Sequence, residues 1–364
     1  MMVDKKGTLL SDIPDFPADV IGRLAEYWIT TAEELVSAAV LEGGLAGLAG
    51  ASGLSEDEIT RLVERAQAAM PAGTSFAPGQ VTTHGLGALD EREPGTGGGE
   101  APASFAPLPE AVDLHAGMAP VRNQGGRGTC VSFACTAVRE YLMGAPASTQ
   151  ADFSEQFLYW DCKKVDLLPA AGTFIRVGMN RLEVDGIPSE ADWPYDPNPI
   201  PGNEGQDPPP AAAAQKASAY RIGGFTSLTP TSVDALRQAL ADGSPVAFSV
   251  PVYTSWFTEP THSSGDVRLP LPGEKKEGGH AMCMVGYQTD EAVPGGGYFI
   301  VRNSWGTDWA CNSPVAAGHA RIPFAYISQY ANSAYTATPG VEQPKTAWER
   351  FLDWVRHTLG FGYA

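Results

Sequence analysis

The chain has 364 residues, of which 43% are hydrophobic, and its formal net charge at pH 7 is −18. This length allows two domains, or one large domain with an appendage, and the apolar content is enough for a sizeable core. The strong acidity repels nucleic-acid phosphates and anionic lipid headgroups, so we expect neither nucleic acid nor a membrane as a partner.

The N-terminus carries two lysines without an apolar run behind them, so the sequence predicts no signal peptide. No stretch approaches the roughly 20 consecutive apolar residues of a membrane helix. The cysteines are an odd and sparse set for this length: Cys130, Cys135, Cys162, Cys283 and Cys311. We therefore expect no disulfide framework and a reducing, cytoplasmic location.

Residues 12–70 are predicted to form a small all-α N-terminal domain. Two capping boxes, Thr31 with Glu34 and Ser55 with Glu58, mark the starts of two of its helices. Before them, apolar side chains recur at the spacing of one helical face: Val20, Ile21, Leu24 and Trp28.

A glycine-rich connection, residues 43–53, is expected between the two capped helices. The pattern resembles compact helix-hairpin-helix or SAM-like modules, some of which bind DNA. Residues 1–100 contain 6 Lys and Arg against 16 Asp and Glu, a net charge of −10. This charge favours contact with a protein partner over contact with DNA, and a purely structural cap or prosegment is the alternative.

Residues 71–107 are rich in Gly, Pro, Ala and Thr and are predicted to be a flexible linker. The main domain is expected over residues 108–335, with a Pro-rich surface loop at residues 196–214. Residues 336–364 form a tail with a predicted short amphipathic helix, which docks on the body or, alternatively, binds a partner. The apolar residues of that helix are Trp348, Phe351, Leu352 and Val355.

Residues 123–134 (NQGGRGTCVSFA) place a cysteine at the expected start of a buried helix. Free backbone N–H groups at a helix start favour a thiolate and can donate to an oxyanion, so Cys130 is a candidate nucleophile with a lowered thiol pKa. The side-chain amide of Gln124 is a suitable second oxyanion donor. The alternative is that Cys130 is a small buried hydrophobe.

Two further segments supply a base and its orienting group. His280 begins an apolar run of strand length (HAMCMVGY), and Asn303 ends the strand-like run YFIVRN. An Asn amide oxygen can hold one imidazole nitrogen so that the other is free for a thiol proton. Trp305 is placed to shield that hydrogen bond from water. The alternatives are a histidine satisfied within the core and ordinary aromatic packing.

Together these segments resemble the papain family of cysteine peptidases. The family's Q-G-x-C-G-S-C-W-A-F run is matched by Gln124, Gly125, Gly128, Cys130 and Phe133. Its H-A-x-x-x-V-G-Y strand is matched by His280, Ala281, Val285, Gly286 and Tyr287. Its N-S-W-G-x-x-W run is matched by residues 303–306 and Trp309. Lesser matches extend the resemblance over residues 108–330.

The resemblance implies an α+β fold: a two-lobed catalytic domain with a helical lobe, a β-barrel-like lobe and a cleft between them. It implies that Cys130 attacks a peptide carbonyl, Gln124 holds the oxyanion and His280, oriented by Asn303, moves the proton. The implied reaction hydrolyses a peptide or protein substrate through a thioester, without cofactor or metal. An amide ligase or transferase with the same acyl-enzyme, and a non-enzymatic binding protein on this scaffold, are the alternatives.

The chain departs from the family pattern at several positions. Arg127 replaces a disulfide cysteine, Val131 replaces the usual Trp, and Ala310 replaces the Gly after the second Trp. Only residues 171–172 remain of a cleft-lining G-C-x-G-G element, so Cys162 lacks its expected partner. The N-terminal region lacks the signature of the family's long helical inhibitory prosegment, so zymogen control is not implied.

Overall fold

The computed structural model describes residues 5–74, 76, 84–91, 107–144, 152–199, 202 and 204–340. Within these ranges the chain has eleven α-helices and seven β-strands, which confirms the predicted α+β class. The helices are α1 (Ala18–Ala25), α2 (Ala32–Ala39), α3 (Gly44–Ser52), α4 (Glu56–Ala69), α5 (Cys130–Leu142), α6 (Glu155–Asp166), α7 (Ile175–Val184), α8 (Ala211–Ala217), α9 (Val233–Ala241), α10 (Glu259–Ser264) and α11 (Phe324–Tyr330). The strands are β1 (Ala111–Asp113), β2 (Ile222–Ser227), β3 (Val246–Tyr253), β4 (Lys276–Thr289), β5 (Gly297–Arg302), β6 (His319–Pro323) and β7 (Ser333–Pro339).

Helices α1–α4 form the N-terminal unit, and both predicted capping boxes are confirmed. The side chains of Thr31 and Ser55 each accept a hydrogen bond from the backbone N–H of the glutamate three residues on. Each glutamate, Glu34 or Glu58, accepts in return from the backbone N–H of its capping residue. Two donors at each helix start are satisfied in this way, so α2 and α4 begin where the sequence indicates.

The predicted glycine-rich connection at residues 43–53 is wrong, because this stretch is helix α3. Gly43 and Gly53 flank the helix with φ values of 71° and 69°, a left-handed conformation that glycine adopts without strain. A side chain at Gly44 would overlap the carbonyl oxygen of Ala38. The glycines therefore allow close packing of helices here.

Trp28 does not continue the face of α1, which is also a correction. The helix ends at Ala25, and Trp28 lies beyond it with φ of 65°. Its buried ring lies beneath the Lys5 ammonium at 4.0 Å and the Arg321 guanidinium at 5.8 Å, measured to the ring centroid. Because Arg321 belongs to β6, this ring joins the N-terminal unit to the sheet.

The loop before β4 completes this contact between the two units. Leu269 donates its backbone N–H to the carbonyl oxygen of Tyr27 at 3.2 Å, and Leu271 is buried in the apolar core of the N-terminal unit. A Cβ atom at Gly47 of α3 would lie 3.1 Å from both the Leu271 Cβ and the Pro272 carbonyl oxygen. The absence of a side chain at Gly47 thus lets α3 lie directly on this loop.

All strands belong to one antiparallel sheet in the order β2-β7-β3-β4-β5-β6, and β1 also pairs with β4. Since side chains alternate between the faces of a strand, Ala281 and Cys283 of β4 pack toward α5, α6 and α7. Met282 and Met284 join a second core that includes residues of α9 and α11. The helical lobe therefore covers one face of the sheet, and the cleft lies where α5 begins beside β4.

Three predicted boundaries need comment. Residues 84–91, part of the predicted linker, lie against the main domain, so the range 71–107 is not a free linker throughout. Strand β7 runs to Pro339, past the predicted domain end at residue 335. The predicted amphipathic helix of the tail lies outside the described residues.

No helix in the described ranges combines the length and apolarity needed to cross a bilayer.

We expect Gly47→Val to loosen the N-terminal unit, because the new side chain must displace Leu271 and Pro272. Overpacking of this kind costs about 1–3 kcal/mol, so the melting temperature should fall in thermal unfolding followed by circular dichroism. Gly22→Ala, at an exposed position of α1, is the control, since nothing lies within 4 Å of a Cβ there. It should raise stability by up to about 1 kcal/mol. Equal melting temperatures for Gly47→Val and the parent chain would contradict the docking.

Candidate active site

Cys130 is the first residue of α5, as predicted for a nucleophile at a helix start. Its side chain is completely buried. Backbone N–H groups of Ala281 and Val131 face the sulfur, and so does the N–H of Gly87. Ala281 follows His280 on β4, so the start of α5 and the predicted base lie on opposite sides of one cleft.

His280 is held by Asn303, as the sequence predicts. The His280 Nε2 and Asn303 Oδ1 atoms are 2.8 Å apart, and Oδ1 also accepts the backbone N–H of Ser304 at 2.8 Å. Trp305 stacks on the imidazole with ring centroids 4.5 Å apart and an interplanar angle of 22°. Among the described residues, His280 Nδ1 has no hydrogen-bond partner. That nitrogen is therefore the one left to exchange a proton with a thiol.

The position of His280 within its strand differs from the prediction. β4 begins at Lys276, so His280 is its fifth residue. Gly278 and Gly279, predicted to end a loop, are part of the strand. A side chain at Gly279 would overlap the carbonyl oxygen of Ala88, so glycine at this position keeps the strand accessible to another backbone.

Gln124 presents one amide N–H to the cleft. Its Oε1 atom accepts the Ser304 hydroxyl at 2.6 Å, and its Nε2 atom donates to the carbonyl oxygen of Arg127 at 2.8 Å. The other Nε2 hydrogen donates to the carbonyl oxygen of Gly85 at 2.9 Å. The amide is thus fixed on both sides, and one of its N–H groups meets a peptide carbonyl oxygen, as an oxyanion donor would.

Two residues of this arrangement had no predicted role, namely Ser304 and Arg127. Ser304 was visible in the N-S-W-G match but was not assigned a role in orienting Gln124. Its hydroxyl and the Arg127 carbonyl oxygen fix the amide plane of Gln124. Sequence alone gives no signal for a backbone carbonyl, because every residue has one.

The cleft is filled by residues 84–91, which we call the cleft segment. On one wall, Gly85 donates its backbone N–H to the carbonyl oxygen of Gly125 at 3.0 Å. On the other wall, Ala88 donates to the carbonyl oxygen of Gly279 at 3.1 Å. The sequence predicts a flexible linker over residues 71–107, and these contacts of residues 84–91 differ from that prediction.

The far end of the cleft segment is anchored near α7. Leu89 donates to the carbonyl oxygen of Thr173 at 3.0 Å, and Thr173 donates to that of Gly87 at 2.9 Å. The Glu91 carboxylate accepts the backbone N–H of Arg176 at 2.9 Å and the Tyr335 hydroxyl at 2.8 Å. The stretch that replaces the family's glycine-rich element therefore still lines the cleft.

Glycine is required where the cleft segment meets the nucleophile loop. Side chains at Gly85 and Gly87 would overlap the carbonyl oxygens of Arg127 and Gly128, respectively. A side chain at Gly172 would overlap the carbonyl oxygen of Gly87. These contacts are between backbones, so a residue larger than glycine at these positions cannot keep the same path.

His84 covers the other end of the site. Its ring stacks on Trp305 at 4.6 Å between centroids, on which His280 also stacks. His262 lies 6.4 Å away on a parallel plane. Burial lowers the pKa of His84 to about 4, and the nearby His262 adds to that shift. The cleft segment therefore places a neutral imidazole over the tryptophan that shields the site.

The closed cleft favours uncharged forms of both reactive groups. Burial raises the pKa of the Cys130 thiol to about 11, although four backbone N–H groups act in the opposite direction. Burial also lowers the pKa of His280 to about 4, against the hydrogen bond to Asn303. The predicted lowering of the thiol pKa is therefore wrong for this closed state, because desolvation exceeds the effect of the helix start.

The described site contains a thiol at a helix start, an imidazole held by an amide, and a second amide that donates an N–H to a peptide carbonyl oxygen of the cleft segment. These are the groups that thiol-dependent acyl transfer requires. Nowhere in the described ranges do three His, Cys, Asp or Glu side chains come together to hold a metal ion. Fold and site together are those of the papain-like class of proteins.

Comparison with known proteins agrees with this class. The model of the papain family of cysteine proteases matches residues 108–319, and the chain belongs to that family. An uncharacterised peptidase C1-like protein of Acanthamoeba polyphaga mimivirus is 27% identical over 179 residues, which are 48% of this chain and 54% of that protein. A cathepsin B-like protein of Giardia intestinalis is 30% identical over 276 residues, covering 71% of this chain and 77% of its own length.

Solved structures agree as well. The crystal structure of xylellain, a cysteine protease from Xylella fastidiosa, matches with a TM-score of 0.62 and 25% sequence identity. The match covers 73% of this chain and 100% of xylellain. The chain spans about half the length of the mimivirus relative, 54%.

We expect the cleft to open in acid. An exposed His84 or His280 would regain an ordinary pKa near 6.5, so the open state binds more protons as the pH falls from about 6.5 to about 4. Glu91 opposes this, because burial raises its pKa and the closed state keeps its proton more tightly. We expect the two histidines together to outweigh this one carboxyl group.

The measurement is labelling of Cys130 by 2,2′-dipyridyl disulfide, followed by peptide mass mapping. The exposed thiol of Cys311 is the internal standard. The ratio of Cys130 to Cys311 labelling should rise from pH 6.5 to pH 4, and His84→Phe, which keeps a ring on Trp305, should reduce the rise. A ratio that does not change with pH, or an identical rise in His84→Phe, would contradict the account.

Proposed function

We propose that this chain is a cysteine peptidase whose cleft is closed by its own residues 84–91. The observation that supports it best is the paired orientation of His280 and Gln124. The imidazole is fixed through Nε2 and leaves Nδ1 without a partner, and the Gln124 amide directs an N–H at a peptide carbonyl oxygen of the cleft segment. A substrate carbonyl in that place would be polarised by the same donor.

In the open enzyme, the Cys130 thiol transfers its proton to His280 Nδ1, and the sulfur attacks the scissile carbonyl carbon. The C=O π electrons move to the oxygen, which Gln124 and the Cys130 backbone N–H stabilise. When the oxyanion collapses, the C–N bond breaks and His280 gives its proton to the leaving amine. Water, deprotonated by His280, then hydrolyses the thioester and restores the thiol. Asn303 keeps the ring oriented through both steps.

In this proposal the cleft segment acts as an inhibitor. Its residue Gly85 supplies the carbonyl oxygen that accepts from the Gln124 amide, and the Gly87 N–H acts on the Cys130 sulfur. The segment therefore occupies the place that a substrate backbone would take, and it keeps substrate out of the cleft.

Two further expectations belong to this proposal. All five cysteines carry free thiols, which supports a reducing, cytoplasmic location. A protein partner for the acidic N-terminal unit stays a prediction from its charge. That unit already uses Tyr27, Trp28 and Gly47 to contact the catalytic domain.

The proposal predicts that Gly87→Ala activates the enzyme. The new methyl group would overlap the Gly128 carbonyl oxygen, so the cleft segment must leave while the catalytic groups stay unchanged. We expect hydrolysis of fluorescently labelled casein to rise at least about 10-fold at pH 7, because a loss of roughly 1.4 kcal/mol in segment binding already changes the open fraction tenfold. The control is Gly126→Ala, an exposed neighbour of the nucleophile with nothing within 4 Å of a Cβ.

Adding Cys130→Ala to Gly87→Ala should abolish hydrolysis. Casein cleavage by that double variant would show that Cys130 is not the nucleophile. If Gly87→Ala exposes Cys130 to iodoacetamide but hydrolyses no casein and no member of a mixed peptide library, the peptidase proposal is wrong and the binding-protein alternative stands.

A further inference from the structure

Arg127 lies between Gln124 and Cys130, at the position where the family resemblance implies a disulfide cysteine. Its side chain is buried, with 5% of the residue's surface exposed. The guanidinium donates to the Gln156 Oε1 atom of α6 at 2.7 Å and to the carbonyl oxygen of Asp196 at 2.6 Å. A longer hydrogen bond, 3.3 Å, reaches the carbonyl oxygen of Glu204. One side chain therefore joins the nucleophile loop to a helix and to the Pro-rich loop.

Two tyrosines complete the surroundings of the guanidinium. Its central carbon lies 5.3 Å from the ring centroid of Tyr159 and 5.1 Å from that of Tyr195. The Tyr195 hydroxyl donates to the backbone carbonyl oxygen of Gln124 at 2.8 Å and is 2.6 Å from the Thr129 hydroxyl. Tyr195 thus contacts the chain both before Arg127, at Gln124, and after it, at Thr129.

The Pro-rich loop has a place in this arrangement that its sequence does not indicate. Pro197 lies over Gly125, where a Cβ would be 2.8 Å from the proline Cβ. The loop also supplies two of the three acceptors for Arg127, from Asp196 and Glu204. It therefore covers the nucleophile loop, and its carbonyl oxygens offset part of the free-energy cost of burying a guanidinium.

We propose that Arg127 is a positioning residue for the oxyanion site, and that its guanidinium clamp replaces the missing disulfide. The clamp fixes the backbone whose carbonyl oxygen accepts from Gln124 Nε2. Because that acceptor and the Ser304 hydroxyl set the plane of the Gln124 amide, moving the Arg127 backbone turns the catalytic N–H away. This inference rests on the proposed function, since it assigns Gln124 to the oxyanion.

The clamp should affect the oxyanion more than the thiol. Cys130 is held by α5 and receives N–H groups from Ala281 and Val131, none of which depends on the guanidinium. Gln124, in contrast, takes one of its side-chain contacts from Arg127 itself. Loss of the clamp is therefore expected to weaken stabilisation of an oxyanion while leaving thiol reactivity almost unchanged.

The test uses the full chain with Gly87→Ala, so that the cleft is open, and compares Arg127→Met, Arg127→Lys and Arg181→Met. Arg181 is the matched control: it is also buried, at 9% exposure, and its guanidinium bonds to Asp161 and Asp185, away from the nucleophile loop. The first readout is the affinity of a peptide aldehyde. The thiol sulfur bonds to the aldehyde carbon, the π electrons move to oxygen, and the thiol proton ends on that oxygen, so no turnover is needed.

For Arg127→Met we expect aldehyde affinity and kcat to fall about 10- to 100-fold, less than the 10²–10³ of deleting an oxyanion donor outright. KM and the rate of Cys130 alkylation by iodoacetamide should change by less than about twofold. Arg127→Lys should lie between Met and the parent, because an ammonium cannot reach all three acceptors. Arg181→Met should lower the melting temperature without changing aldehyde affinity.

Unchanged aldehyde affinity and kcat in Arg127→Met would overturn the proposal, and so would equal losses in Arg181→Met. If Arg127→Met does not fold, Gln156→Leu removes one acceptor and keeps the arginine. It should produce a smaller loss of aldehyde affinity and of kcat, and unchanged values of both would also overturn the proposal. Aldehyde addition without any peptide hydrolysis in the Gly87→Ala chain would contradict the peptidase function alone, and the aldehyde readout would still test the clamp.

Discussion

The closed structure depends on the approach of one backbone to another in a cleft where glycine stands on both sides. Gly85 and Gly87 lie against the carbonyl oxygens of residues 127–128, and Gly279 lies against that of Ala88. With no side chains between them, the two chains reach hydrogen-bonding distance and exclude water. The burial of Cys130 follows from this contact, and burial raises the pKa of its thiol.

Under the proposed function, latency requires little intrinsic affinity between the cleft segment and the cleft. The N-terminal unit is docked through Trp28 and Gly47, and the catalytic domain follows residue 107, so residues 84–91 are tethered at both ends. A tethered segment is present at a high effective concentration, and a few hydrogen bonds can keep it in place. Reversible opening is therefore compatible with an intact chain, while the clamp around Arg127 keeps the oxyanion site formed.

The candidate catalytic residues could be located from sequence because each belongs to a local pattern: Cys130 opens α5, and Asn303 follows the end of β5. The papain-like fold followed from the order of those patterns. The cleft segment could not be predicted, since its contacts are made by backbone atoms of a stretch that is compositionally a linker. Helix α3 was missed for a related reason. Glycine is typical both of a connection between helices and of a helix that packs closely on its neighbours, so the composition alone did not distinguish the two. The role of Arg127 depends on acceptors about 29 to 77 residues away, which no local pattern reveals.

Hydrogen–deuterium exchange of the amides of Ala88 and Leu89 in the unmodified chain tests the closed cleft most directly. Both N–H groups donate to carbonyl oxygens of the cleft walls, those of Gly279 and Thr173. The account predicts that these amides exchange at pH 7 far more slowly than free peptide and lose this protection at pH 4. Exchange at the rate of an unstructured peptide at pH 7 would show that the segment does not occupy the cleft, and would contradict the account.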